Sequence, residues 1–164
     1  MVKELNDYVD AIIKDNEKSN KLDHAASLAG QVTQEFKLEE NFMKESGWGK
    51  FLSLACGKWI ELTCNTKLSK FQILSSWIVR QFKNEYNPTH YHGGHISGVG
   101  YLKVPNNIGS TKQGNKKKNL NGCLQLIHGS KMFMSESIYT AKPAVGDFYL
   151  FPNYLMHTVF PFTD

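Results

Sequence analysis

The sequence predicts an α+β chain in which a mainly helical part, residues 1–66, precedes a strand-rich part, residues 67–164, folded as a β-sandwich or barrel. Two observations carry that expectation. Apolar residues recur at helical spacing through the first part. After about Lys67, short β-branched and aromatic runs alternate with Gly, Pro and Asn clusters, as antiparallel connections require. At 164 residues the whole is one domain's worth, enough to bury a core without staples.

In the first part, Leu5, Tyr8, Val9, Ile12 and Ile13 fall on one helical face with charges between them. A second helix is expected over about Asp23 to Leu38, with Ala25, Leu28, Ala29, Val32 and Phe36 sharing a face. A third stretch, Leu38 to Ile60, is broken into two helices where Gly47 and Gly49 flank Trp48. Apolar stripes of this kind are used to pack helices on a sheet. In the second part, Phe71 to Phe82 suits a long strand. Further strands are expected at Ile96–Val104, Gly122–His128, Ser137–Lys142, Asp147–Pro152 and His157–Phe162. Residues 105–121, polar and carrying Lys116-Lys117-Lys118, read as a long solvated loop. Trp77, Tyr101, Phe148, Tyr149, Phe151, Tyr154, Phe160 and Phe162 read mainly as core.

Composition narrows the function classes. With 41% hydrophobic and 21% charged residues the chain is ordinary for a soluble protein. No run approaches the roughly 18 apolar residues that span a bilayer, and the N-terminus is not a secretory signal. A cytoplasmic location is expected, with no membrane partner. A net charge of +4 is too mild to imply nucleic acid. Cys56, Cys64 and Cys123, odd in number and without CxxC spacing, read as reduced, small buried residues. Arg80 is the only arginine.

Chemistry concentrates in Asn87-Pro88-Thr89-His90-Tyr91-His92-Gly93-Gly94-His95 and in Gly146-Asp147-Phe148-Tyr149-Leu150-Phe151-Pro152-Asn153-Tyr154-Leu155-Met156-His157. In an extended segment, His90 and His92 project to one face because strand side chains alternate. His157, on a distant aromatic-rich strand, can complete a three-cornered ligand set that leaves the opposite side of a metal open. Imidazole alone does not choose between Fe, Zn, Cu and Ni. A polar turn after Pro88 whose histidines merely hydrogen-bond is the alternative for the pair taken alone. His95 is read as a non-ligand, Asp147 as a turn residue and His128 as structural.

Residues 87–92, Ile96 to Pro105, Lys142 to Asp147 and Phe151 to Val159, with the helical Ala25–Phe36 stretch, resemble the 2-oxoglutarate/Fe(II)-dependent oxygenase superfamily. The likeness is nearest to its short bacterial and marine-phage members. That resemblance implies a double-stranded β-helix (a jelly-roll, cupin-like fold) with N-terminal helices packed on the sheet. It implies Fe(II) held by His90, His92 and His157, with 2-oxoglutarate and O2 as cosubstrates. The reaction implied is decarboxylation of 2-oxoglutarate to succinate and CO2, coupled to hydroxylation of a substrate C–H bond. Most of the superfamily has a carboxylate where this chain has His92, so the metal would keep one more positive charge. Members of the superfamily also pair the far carboxylate of 2-oxoglutarate with a basic residue about ten positions past the distal histidine. The sequence stops seven residues after His157, so the expectation is a jelly-roll core lacking its C-terminal strand. Tyr101 and Lys103, read as sharing a strand face, are the substitute cofactor-binding pair. The substrate is expected to be a protein side chain or small molecule, with homo-oligomerisation left open. A cupin-like metalloenzyme that does not use 2-oxoglutarate and a non-catalytic metal-binding or interaction domain are the rival readings.

Overall fold

The computed structural model describes residues 1–164. The chain gathers into two compact units, Met1–His24 with Glu35–Ile78, and Ala25–Gln34 with Val79–Asp164.

The first unit begins with α1 (Val2–Lys14), whose Leu5, Val9 and Ile12 are buried as their i, i+4, i+7 spacing predicts. The chain leaves α1 at Asp15, which is extended, and the Asp15 carboxylate accepts the Lys18 N–H to cap α2 (Asn16–Leu22). Val9, Ile12 and Leu22 form one apolar cluster with Phe36, and Tyr8, Ile13 and Ile78 close around it. Phe36 comes from β1 (Gln34–Lys37) and Ile78 from β2 (Trp77–Arg80), which pair as a two-stranded sheet. Beside this cluster, Tyr8 stacks on Phe42 with ring centroids 3.7 Å apart and donates its hydroxyl to Glu39 at 2.8 Å.

The helix expected over 23–38 does not form. One 3-10 turn at Ala25–Ser27 is followed by non-helical chain and then by β1. Gly30 and the β-branched pair Val32-Thr33 disfavour a helix through this stretch, and its backbone finds other partners. Asp23 bridges Phe36, and the His24 N–H donates to the Glu35 carbonyl at 2.8 Å. The two later helices are present: α3 (Glu40–Glu45) and α4 (Trp48–Cys64). Gly47 joins them in the left-handed region at φ +74°, open to glycine without strain. Gly49 lies within α4 and breaks nothing. The long strand expected over 71–82 shrinks to the four residues of β2.

The second unit holds β3 (Asn87–His90), β4 (Ile96–Gly100), β5 (Leu124–Ile127), β6 (Ile138–Ala141), β7 (Phe148–Pro152) and β8 (Met156–Val159). Strands β3-β8-β5-β6 form one antiparallel sheet and β4-β7 a second. Leu126 is flanked by Tyr139 and His157, and Leu124 by Ala141 and Val159, so these six side chains share one face. Phe151 of β7, 2% exposed, meets that face with its ring 4.9 Å from the ring of His157. The expected strands exist but are shorter; β4 stops at Gly100, which leaves both Tyr101 and Lys103 beyond it. Residues 105–121 carry no regular element and the triple lysine is exposed, as read. Asn119 and Asn121 pin the loop by donating to the Gly109 and Ile108 carbonyls at 2.7 and 2.8 Å.

All three cysteines are free; Cys56 and Cys123 are buried, but Cys64, at the solvent-facing end of α4, is exposed rather than buried. Tyr154 is 65% exposed in the β7–β8 turn, so it is no core residue. No helix is long and apolar enough to cross a membrane.

Candidate metal centre

Two of the three histidines, His90 and His157, are placed by the pairing of β3 with β8. Asn87 lies opposite Val159 and His90 opposite His157, so three steps on β3 match two on β8 and a bulge lies between. A one-residue shift exchanges the faces of a strand. The bulge therefore brings His90 to the side that His157 already occupies. Each of these rings is also oriented by its own backbone. His90 Nδ1 donates to the Pro88 carbonyl at 2.7 Å, and His157 Nδ1 donates to the Leu155 carbonyl at 3.0 Å. With Nδ1 protonated, the lone pair of each ring is on Nε2, ready for a metal.

His92 arrives differently. It lies two residues past the end of β3, and its Nε2 stands 3.1 Å from Nε2 of His157. Ring centroids are 4.9 Å apart for His90 and His92, 4.2 Å for His90 and His157, and 4.8 Å for His92 and His157. One candidate ligand atom from each residue falls within 4.8 Å of the other two.

Electrostatics favours a metal over protons here. Burial, with His157 and His90 nearby, pulls the His92 pKa down to about 4. Burial also lowers that of His157, opposed by its bond to Leu155 and assisted by His90. Both rings are therefore neutral near pH 7, the form that ligates. The nearest pair of donors, Nε2 of His92 and of His157 at 3.1 Å, is close enough to share one ion, and the three together span up to 4.8 Å. Three imidazoles are a donor set that Fe, Zn, Cu or Ni accepts, so an iron fits here without being selected by the ligands alone.

Other residues named from the sequence fall elsewhere. The exposed His95 contributes only its carbonyl, which accepts the Asn153 N–H at 3.1 Å. Asp147 donates its N–H to the Ala144 carbonyl and accepts the Tyr149 hydroxyl, a turn role as read. His128 is exposed just past β5. Tyr101 connects to the histidine face through β7: its ring lies 6.4 Å from that of Tyr149, which is two residues from Phe151 on the same face. The Tyr101 hydroxyl is buried and has no hydrogen-bond partner. Burial raises its pKa, reinforced by Tyr149, Cys123 and Asp147 and weakly opposed by the Leu124 backbone. Lys103 is exposed. The sequence reading missed Asn153, which hydrogen-bonds the backbone of His92; only the geometry reveals that contact.

Comparison with known proteins agrees with this picture. A family model described as "Putative 2OG-Fe(II) oxygenase" matches residues 75–164, more than half of the chain and all three histidines. No curated protein and no solved structure matches it.

Proposed function

The chain belongs to the 2OG-Fe(II) oxygenase family, and on that premise we propose that it is an Fe(II)- and 2-oxoglutarate-dependent dioxygenase hydroxylating a protein side chain or small molecule. The observation that carries the reading is the gathering of His90, His92 and His157 with their donor atoms within 4.8 Å. The two antiparallel sheets of the second unit support a double-stranded β-helix as its scaffold.

His90, His92 and His157 would hold the iron. When bound, iron and 2-oxoglutarate supply decarboxylation to succinate and CO2 coupled to hydroxylation of a C–H bond. The chain's own contribution is orientation and charge. The Pro88 and Leu155 carbonyls keep two imidazoles turned with Nε2 outward. Because all three ligands are neutral, the site presents the full dipositive charge of the ion to a dianionic cosubstrate. Phe151 packs on the His157 ring and keeps water from that side. Tyr101 and Lys103 are the proposed contacts to the far carboxylate of 2-oxoglutarate. For Tyr101 the support is its buried, unpartnered hydroxyl, a donor in want of an acceptor. For Lys103 it is charge alone.

The test is oxygen-dependent succinate formation from 2-oxoglutarate by the iron-loaded protein. Turnover in the wild type and its loss, by at least about 100-fold, in His157→Ala is the expected result. Metal binding without any succinate would overturn the 2-oxoglutarate reading in favour of a metalloenzyme that does without it.

A further inference from the structure

Of the three histidines, two are placed by the sheet and one is not. His90 and His157 are strand residues that face each other across a ladder. His92 lies two residues beyond the last residue of β3. Asn153, in the turn between β7 and β8, holds its backbone. The His92 N–H donates to the Asn153 carbonyl at 3.4 Å, and Asn153 Nδ2 donates to the His92 carbonyl at 3.2 Å. The Asn153 N–H in turn donates to the His95 carbonyl at 3.1 Å. One residue thus brackets the His92 peptide on both sides and ties down the far end of the same loop.

We infer that Asn153 is the positioning residue for the third ligand: it registers His92 against His157 and thereby sets the affinity and geometry of the metal centre. The inference rests on the metal reading above and adds what that reading lacks, a reason for His92 to stay in place. The chemistry requires an amide here. A side chain at 153 must offer an N–H to a carbonyl and stay uncharged beside a ligand loop. Asn does both, whereas Asp would set an anionic acceptor against the His92 carbonyl and Ala would leave that carbonyl without its donor. The backbone bonds of residue 153 survive substitution, so the variants remove the side-chain half of the bracket and leave the turn intact.

The distinguishing experiment is a double-mutant cycle read by Co(II) binding, with Co(II) as a spectroscopic stand-in and no turnover needed. Asn153→Ala should weaken Co(II) binding by roughly 10- to 100-fold and lower the visible absorption as one imidazole leaves the coordination set. It should have almost no effect in a His92→Ala background, because its action runs through His92. Tyr154→Ala, an exposed change in the same turn, should bind Co(II) as the wild type does. Circular dichroism of each apo variant shows whether the turn still folds; if Asn153→Ala does not fold, Asn153→Leu, close to asparagine in size and without a donor, takes its place in the cycle. Equal losses from Asn153→Ala with and without His92, or unchanged Co(II) affinity in the single variant, would overturn the positioning role. Failure of the wild type itself to bind Co(II) would overturn the metal reading and this inference with it.

Discussion

Glu35 carries the first unit's clearest pH signature. It is 1% exposed, its Oε2 has no hydrogen-bond partner, and burial followed by repulsion from Asp23 pushes its pKa up to about 7. An ordinary carboxyl near 4.5 is ionised in the unfolded chain while Glu35 is still protonated in the folded one. The folded state therefore binds more protons between those values, and stability falls as pH rises through that window. The loss amounts to as much as about 3 kcal/mol. Glu35→Gln should remove this dependence, and urea unfolding at pH 5 and pH 7.5 checks it: the wild type loses stability across the interval and the variant does not. His92 has the opposite sign in the metal-free protein. With its folded pKa depressed to about 4, it contributes stability at neutral pH that disappears as the solution is acidified from its ordinary value near 6.5. A buried histidine and a buried acid thus pull in opposite directions over one pH range.

Among the elements, the β4–β7 pair is the least tolerant of added bulk. Gly98 and Gly100 lie under Phe148: a Cβ would come within 2.8 Å of its Cζ at Gly98 and 2.7 Å of its Cδ2 at Gly100. The ring of Phe148 must lift for either to accept a side chain. Gly98→Val should cost roughly 1–3 kcal/mol, measured as a lowered midpoint in thermal unfolding, and Gly93→Ala, with nothing within 4 Å, should cost far less. That contrast also shows what the sequence could and could not convey. Helix α1 was legible because burial of one face writes its period into Leu5, Val9 and Ile12. The 23–38 stretch carries apolar residues at the same spacing, yet its backbone bonds go to distant chain, and no local pattern reports that. Strand β2 is short because its partner β1 has only four residues, whatever the β-propensity of 71–76. His90, His92 and His157 stood out by residue type; the bulge that aligns two of them and the Asn153 bracket that holds the third are long-range hydrogen bonds, which leave no sequence signature.

At the scale of the whole chain, the histidines join segments far apart in sequence: His92 and His157 are separated by 65 residues. An ion bound to the folded protein alone stabilises it by mass action, by roughly 3 kcal/mol at a free concentration 100 times the dissociation constant. The second unit should therefore melt at a higher temperature with Co(II) or anaerobic Fe(II) than with chelator, and His157→Ala should melt identically in both. Calorimetry of the wild type and variant checks this; equal wild-type transitions would contradict it. A consequence follows for the protein's survival inside a cell. Proteases cleave what opens, and opening of a chain clasped by an ion between positions 92 and 157 becomes rarer as the ion becomes more abundant. The half-life of a protein that binds the ion would then lengthen with the supply of that metal, and starvation for it would clear the metal-free chain by degradation.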